Sequence, residues 1–441
     1  MLALRMSEHG LFGDVPGRKK APLVNREARP RVQRAERGQI ELRPTSLEDL
    51  IPEDHRARSV WDALEDLDLS AFYTEIDARE GSAGRPAIDP RILVGLWLYA
   101  TIEGVGSARD VARLCELHSA FRWMCGGVGV NHHSLSDFRV AHGAALDDLM
   151  TQILGALLHE GAVGMRRVAQ DGMKVRAKAG AASFRRNPSL KECLRDAREQ
   201  VRNVKHQLHA EGGTATARVE SARKRAAEER VARVKKAMAE LRKVRETKSS
   251  TKEKKKARAS TSDPEERVMK MDDGGWRPAY NIQIATDVEA RVIVGVTVTN
   301  QGNDFGQIDP MLAEIGRRTE RLPKELLVDG GYRSLASIER AEAAGVKVYA
   351  PLMERKNASD PSKPKQSDGP GVSAWRKRMA VPRSKEIYKD RAATAERTNA
   401  DLRCWRGLNA IPVQGMGKAL CVALWSALAF NLMRCVELGV L

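Results

Sequence analysis

The chain has 441 residues, too many for one small core, and its 42% hydrophobic content is enough to bury a real one. Lys and Arg outnumber Asp and Glu by 75 to 58, a net charge of +17, which points to a polyanionic partner, nucleic acid before membrane. Six cysteines (Cys115, Cys125, Cys193, Cys404, Cys421, Cys435) contain no CxxC pair and no zinc spacing, and a reducing cytoplasm is expected.

Residues 1–41 are polar and Arg-rich without periodicity, and read as a flexible basic arm with no signal peptide in it. From 42 to 160 the pattern is helical and predicts an N-terminal domain that binds DNA. Pro90 suits a first helical turn, Ile92 to Ile102 is a core helix, and GVGS makes a turn into a second helix capped by Ser107. That pair has the outline of a helix-turn-helix. The next helix is expected to start at Ser134 or Ser136; His132 and His133 lack a Cys or carboxylate at ligand spacing and read as solvated cap residues.

Residues 184–269 read as an insertion. Leu190, Leu194, Ala197, Val201, Val204 and Leu208 alternate steps of four and three, Gly212 and Gly213 break the run, and Ala227, Val231, Val234, Met238 and Leu241 resume it. This predicts an antiparallel coiled-coil hairpin. Between Phe184 and Ser260 stand 24 Lys and Arg against 10 Asp and Glu, so +14 of the total +17 sits here. The closing TKEKKKARAS is expected to be disordered.

The stretch RRVAQDGMKV, residues 166–175, reads as a buried strand carrying Asp171, followed by Gly172 and the cations Lys174, Arg176 and Lys178. From Trp276 the pattern is again that of strands: AYNIQIATD and ARVIVGVTVTN form a hairpin, then come a helix, the strand ELLVD ending at Asp329, a helix and the strand VKVYAP. Residues 353–386 read as a long loop, a helix from Tyr388 to about Arg403 carries Glu396, and the run from Lys418 to Leu438, interrupted by Ser426, Asn431 and Arg434, reads as a buried helix rather than a membrane span.

In line, these elements have the order of an α/β, RNase H-like fold: a mixed sheet flanked by helices over 161–183 and 270–441, with the all-α domain before it and the basic hairpin inserted. In that topology the first and fourth strands are neighbours. Asp171 and Asp329 could then converge beneath Glu396, a carboxylate cluster suited to divalent ions and in-line phosphoryl displacement. Taken singly, each acid has a plainer reading: an ordinary turn carboxylate for Asp171, a strand-ending turn for Asp329 before Gly330-Gly331, a charged helix surface for Glu396. Asp304, in NQGND, ranks below the three.

RPAIDPRILVGLWLYATIEGVGSARD, QDGMKVRAKAGAASFRR, GWRPAYNIQIATD, NQGNDFGQ, VDGGYRS and YKDRAATAE, in this order, resemble the signature blocks of bacterial insertion-sequence DDE transposases. The resemblance covers about residues 42–435. It implies Mg²⁺, with Mn²⁺ able to substitute, bound by Asp171, Asp329 and Glu396 as catalytic residues, and places Tyr388 and Arg391 with Glu396 in the family's tyrosine–arginine–glutamate signature. Lys174, Arg176, Tyr388 and Arg391 would bind substrate, with Arg391 meeting a phosphate or holding Glu396 by a bidentate contact. Arg397 stands where relatives often have a more apolar residue. The implied activity is DNA strand cleavage and strand transfer at terminal inverted repeats. The implied partners are double-stranded DNA at element ends and target, and a homodimer or higher assembly, in the bacterial cytoplasm at the nucleoid. The alternatives are a transposase-derived DNA-binding protein without catalysis and an RNase H-like nuclease without strand transfer.

Overall fold

The structure, a computed structural model, describes residues 44–79, 81, 86–210, 217–353 and 360–440. The expected basic arm and the glycine pair at 212–213 lie outside the described residues. Seven helices come first: α1 (Arg56–Ala63), α2 (Ser70–Tyr73), α3 (Pro90–Ile102), α4 (Ala108–Leu117), α5 (Ser119–Cys125), α6 (His132–Ala141) and α7 (Gly143–His159). Asp89 caps α3 by accepting from the Arg91 amide, and Pro90 opens it as predicted. Every α3 residue except Arg91 is buried, so α3 is a core helix, whereas α4 buries only Val111. The expected cap of the following helix is corrected. Asn131, not Ser134 or Ser136, accepts from the His133 and Ser134 amides, and α6 starts at His132.

Strand β1 (Arg167–Arg176) comes next, then β2 (Phe184–Arg185), the hairpin helices α8 (Asn187–Ala210) and α9 (Ala217–Glu246), α10 (Thr251–Lys256) and β3 (Ala259–Ser260). The hairpin's base is a small core of its own, with Leu190, Ala237, Leu241, Ala257 and Ala259 buried together. Ion pairs Lys236–Glu265 (3.1 Å) and Arg267–Glu240 (2.6 Å) fasten α9 to the segment 265–267. The expected disorder of TKEKKKARAS is corrected: Ser250 caps α10, and β3 pairs with β2. Two alanines in the charged run, Ala257 and Ala259, supply the apolar anchors that order it.

The sheet is completed by β4 (Arg267–Lys270), β5 (Trp276–Asp287), β6 (Ile293–Thr299), β7 (Glu325–Leu327) and β8 (Lys347–Tyr349), with α11 (Ile308–Thr319) and α12 (Leu335–Ala343) between the later strands. Its order is β6-β5-β1-β7-β8, with β4 on the first residues of β5. β5 runs antiparallel to β1 and β6; β7 runs parallel to β1 and β8. The chain is thus a mixed α/β structure.

Residues 353–386 are not one long loop. α13 (Pro370–Ala380) and α14 (Pro382–Arg391) occupy much of that stretch, α14 running into the π-turn Ala392–Glu396 and α15 (Arg397–Cys404). The first amides of α13, Gly371 and Val372, donate to Glu339 of α12, a cap that comes from a different element. Helix α16 (Met416–Leu438) is long and apolar enough to cross a membrane, but most of it is buried within the protein. Its polar interruptions have local work. Asn431 accepts from the Ile293 amide and donates to the Ile293 carbonyl (2.8 Å each), closing the edge of β6, and Arg434 donates to the Ala290 carbonyl. One continuous core runs from the N-terminal helices through α16 into the sheet.

Candidate active site

Asp171 lies mid-way along β1, the central strand, with its side chain 19% exposed. Parallel pairing matches Val168 with Leu326 and Ala169 with Leu327. Carried two residues further, that register puts Asp329 level with Asp171 on the same face, just past the end of β7. Asp329 also performs the plainer task suggested by its glycines, accepting from the Gly331 amide at 2.7 Å to cap a single 3₁₀ turn.

The third acid arrives from the helical layer. In a regular α-helix Arg391 and Glu396, five residues apart, would point about 140° away from one another. The π-turn over Ala392–Glu396 takes up the extra residue and returns Glu396 to the face of Arg391. Arg391 stands over the Tyr388 ring (5.9 Å) and reaches Glu396 Oε1 through Nη2 (3.3 Å) and Asp171 Oδ2 through Nη1 (3.6 Å). It forks between the two acids rather than gripping Glu396 bidentately. Asn399 on α15 also donates to Asp171 Oδ2, at 3.2 Å. Glu396 remains 64% exposed.

Lys174 and Arg176 are not brought to this cluster. Side chains alternate along a strand, so both share the face of Gly172, opposite to Asp171. Arg176 is exposed at the far end of β1.

On the Gly172 face lies a polar network that sequence reasoning underrates. Asp304, in the turn after β6, accepts from Asn281 Nδ2 (2.8 Å) and Gln283 Nε2 (2.7 Å). Gln283 Oε1 accepts from the buried Tyr332 hydroxyl and from Gln170 Nε2 (3.2 Å), which also donates to the Gln307 carbonyl (2.9 Å). A Cβ on Gly172 would meet Asp304 Oδ1 and stand 2.5 Å from Gln283 Nε2 and 2.9 Å from Asp304 Cγ, so any side chain there would force this network to shift. The signal is present as Asn281 and Gln283, alternate polar residues set among Ile282, Ile284 and Ala285 in the buried part of β5.

Burial raises the Asp171 carboxyl to about 6; Arg391 and the Gly172 amide oppose the shift, and the charges of Asp329 and Asp304 add to it. Burial also raises the Tyr388 hydroxyl. Among the described residues no three His, Cys, Asp or Glu side chains converge as a ready ion cage. The donors nevertheless fit a hard divalent cation in kind: carboxylate oxygens only, one of them driven towards protonation partly by its acidic neighbours.

Two family models match the chain: Transposase domain (DUF772) over residues 45–141 and Transposase DDE domain over residues 239–432. The chain belongs to the insertion-sequence DDE transposases. The first match takes in α1 to α6; the second takes in Asp304, Asp329, Tyr388, Arg391 and Glu396. Asp171 lies between them; the sheet register relates it to Asp329, and Arg391 relates it to Glu396. Transposases of this kind act on DNA and generally use a divalent metal. No curated protein and no solved structure matches the chain.

Proposed function

We propose that the transposase cleaves DNA at the inverted-repeat ends of an insertion sequence and joins the exposed 3′-hydroxyl to target DNA, using Asp171, Asp329 and Glu396. The observation that supports this reading is the parallel register of β1 and β7, which runs on to bring Asp329 level with Asp171, together with Arg391, which touches both Asp171 and Glu396. The strand order supports an RNase H-like catalytic domain over 161–183 and 270–441, preceded by a helical DNA-binding domain (42–160) and interrupted by the basic hairpin (184–269).

The three carboxylates would hold Mg²⁺, or Mn²⁺ in its place. When bound, such ions supply Lewis-acid stabilisation of the attacking and leaving oxygens in an in-line displacement. In the first step a water oxygen bonds to phosphorus, the bond to the 3′-oxygen breaks, and that oxygen leaves as the 3′-hydroxyl. In the second step this hydroxyl attacks a target phosphodiester and displaces its 3′-oxygen. Arg391 keeps Glu396 and Asp171 in register before substrate enters and offers a cation to the phosphate afterwards. Tyr388 supports its guanidinium from below. Lys174 and Arg176, on the other face, contact DNA away from the reacting phosphate. Joining two ends implies a dimer or higher assembly, acting on the nucleoid in the cytoplasm.

The test is incubation of purified protein with DNA carrying the element's own ends, in Mg²⁺ or Mn²⁺, beside Asp171→Asn. Metal-dependent nicks at the repeat boundary and joined products, both absent in the variant, are expected. Scattered nicks without joining would establish a nuclease instead, and binding without cleavage a DNA-binding protein.

A further inference from the structure

A cavity of about 800 Å³ opens between α3, α4 and α6, the far end of β1 and the segment after α15. Among the described residues its charged lining has one sign: Arg109, Arg139, Arg176, Lys178 and Arg406, with His132 and His133 beside them and no Asp or Glu. The helices α4 and α6, ten residues each, both open their N-termini into it, adding the positive ends of two helix dipoles.

Arg139 makes this a built site rather than a basic surface. It is 6% exposed, stacks on Trp97 at 4.8 Å and donates through Nη1 to the Gly106 carbonyl at 2.7 Å. Its Nε is buried without a hydrogen-bond partner, and no carboxylate pairs with it among the described residues. Burial lowers its pKa to about 10, which leaves it charged at neutral pH. A buried cation without a counter-ion is costly to keep and is expected where an anion completes it. Of the other cations, Arg406 is held by Asp401 (2.9 Å), whereas Arg176 makes no ion pair among the described residues. The Arg176 carbonyl accepts from the Ile411 amide at 2.7 Å, which pins the cavity wall to β1.

We propose that this cavity binds a phosphate of the DNA strand, with Arg139 as its buried anchor and Arg176, Lys178 and Arg109 at its mouth. Trp97 and Trp425 contribute walls but are themselves buried, so the lining offers charge to an anion rather than a face for a base. Arg176 is five residues along β1 from Asp171, about 17 Å of strand, so a bound phosphate here would lie outside the reacting position. The assignment of DNA as the source rests on membership of the transposase family and not on the three acids, so binding is tested without divalent metal, where failure of cleavage has no bearing.

Two measurements compare the wild type with Arg139→Gln, Arg139→Lys and the surface double variant Arg176→Gln/Lys178→Gln. The first is thermal stabilisation by inorganic phosphate against chloride at matched ionic strength. The second is the salt dependence of binding to a labelled duplex of about 30 base pairs, with and without competing phosphate. Phosphate should stabilise the wild type, with affinity about tenfold or more weaker in Arg139→Gln and partly restored in Arg139→Lys. The double variant, whose side chains are at the surface, should fold normally and lower the slope of log K against log salt by about 0.9 for each phosphate that is no longer neutralised. Phosphate that displaces duplex from the wild type more readily than from the variants identifies DNA as the ligand. Stabilisation by phosphate with an unchanged duplex slope would give the cavity to a free phosphorylated molecule and overturn the DNA assignment. No stabilisation together with an unchanged slope in the double variant, or stabilisation equal in wild type and Arg139→Gln, overturns the site altogether.

Discussion

Replacing Gly172 with alanine tests whether the Asp304 network is packed as tightly against β1 as its geometry says. The added Cβ would sit 2.5 Å from Gln283 Nε2 and 2.9 Å from Asp304 Cγ, both well inside contact distance. Neither side chain can retreat alone, because Asp304 is tied to Asn281 and Gln283, and Gln283 to Tyr332 and Gln170. Overpacking costs about 1–3 kcal/mol, and losing one hydrogen bond to a charged acceptor a further ~1.5–3 kcal/mol. Alanine returns roughly 0.5–1 kcal/mol of backbone entropy, leaving a net loss of about 2–5 kcal/mol. Urea unfolding monitored by circular dichroism measures it, in the wild-type background and in Asp304→Ala. If the collision is with Asp304, the penalty in the second background should fall by at least half. An equal penalty in both backgrounds, or one below about 1 kcal/mol in the first, refutes the packing argument.

Asp171→Asn should abolish metal-dependent nicking and yet unfold at higher urea than the wild type at pH 7. The folded carboxyl titrates at about 6, above its ordinary 3.8, so wild-type stability falls as pH rises from about 4 to about 6 and the penalty is complete at pH 7. Asparagine escapes that penalty, a gain of about 1–3 kcal/mol that should vanish near pH 4; equal stability at both pH values would count against the assigned burial. Arg391→Lys should lower the cleavage rate about as far as Arg391→Gln, on the order of 10²-fold, because one ammonium cannot fork between two acids; near-full activity of the lysine variant would remove the positioning role. Asn431→Leu strips both partners from the Ile293 backbone and should cost about 2–4 kcal/mol. Denaturant midpoints unchanged within error would show that water closes that edge instead. Replacing the exposed Lys and Arg of α8 and α9 with Gln should flatten the salt dependence of DNA binding if the hairpin touches phosphates; an unchanged slope would assign it to protein contact.

Features set by local periodicity are readable directly. The three-and-four spacing from Leu190 to Leu208 and from Ala227 to Leu241 marks the hairpin; Leu190, Ala197, Ala227, Val234 and Leu241 are buried in it, whereas Leu194, Val201, Val204, Val231 and Met238 are only half-buried. The apolar run of α16 announces a core helix, and Asn431 within it is explained only once the β6 edge is seen beside it. Asp329 at the end of a strand can be named from the sequence, because Asp before two glycines suits a turn; Asp171 also precedes a glycine but lies mid-strand, and Val168 and Val175 on either side are the sign of it.

Features set by contacts between distant segments are not. The stretch that forms α13 reads as loop because its cap, Glu339, belongs to α12, and its buried arginine, Arg376, is neutralised by Asp368 from outside the helix. Its local signs are Pro370 at the first helical position and the helical spacing of Val372, Trp375 and Met379. The run of basic residues at 184–260 raises an expectation of DNA contact there, yet the buried Arg139, which makes no ion pair among the described residues, lies in a different part of the chain.

The amino-acid sequence by itself therefore determined the family and the order of the strands β5 to β8 and named the candidate acids, since each depends on short-range pattern and spacing. Tertiary structure decided how they combine. Parallel pairing set Asp329 level with Asp171, the π-turn returned Glu396 to Arg391, and strand alternation sent Lys174 and Arg176 to the opposite face. A fold juxtaposes residues hundreds of positions apart, and neither the register of a sheet nor the sign of a cavity is encoded in any one of its segments.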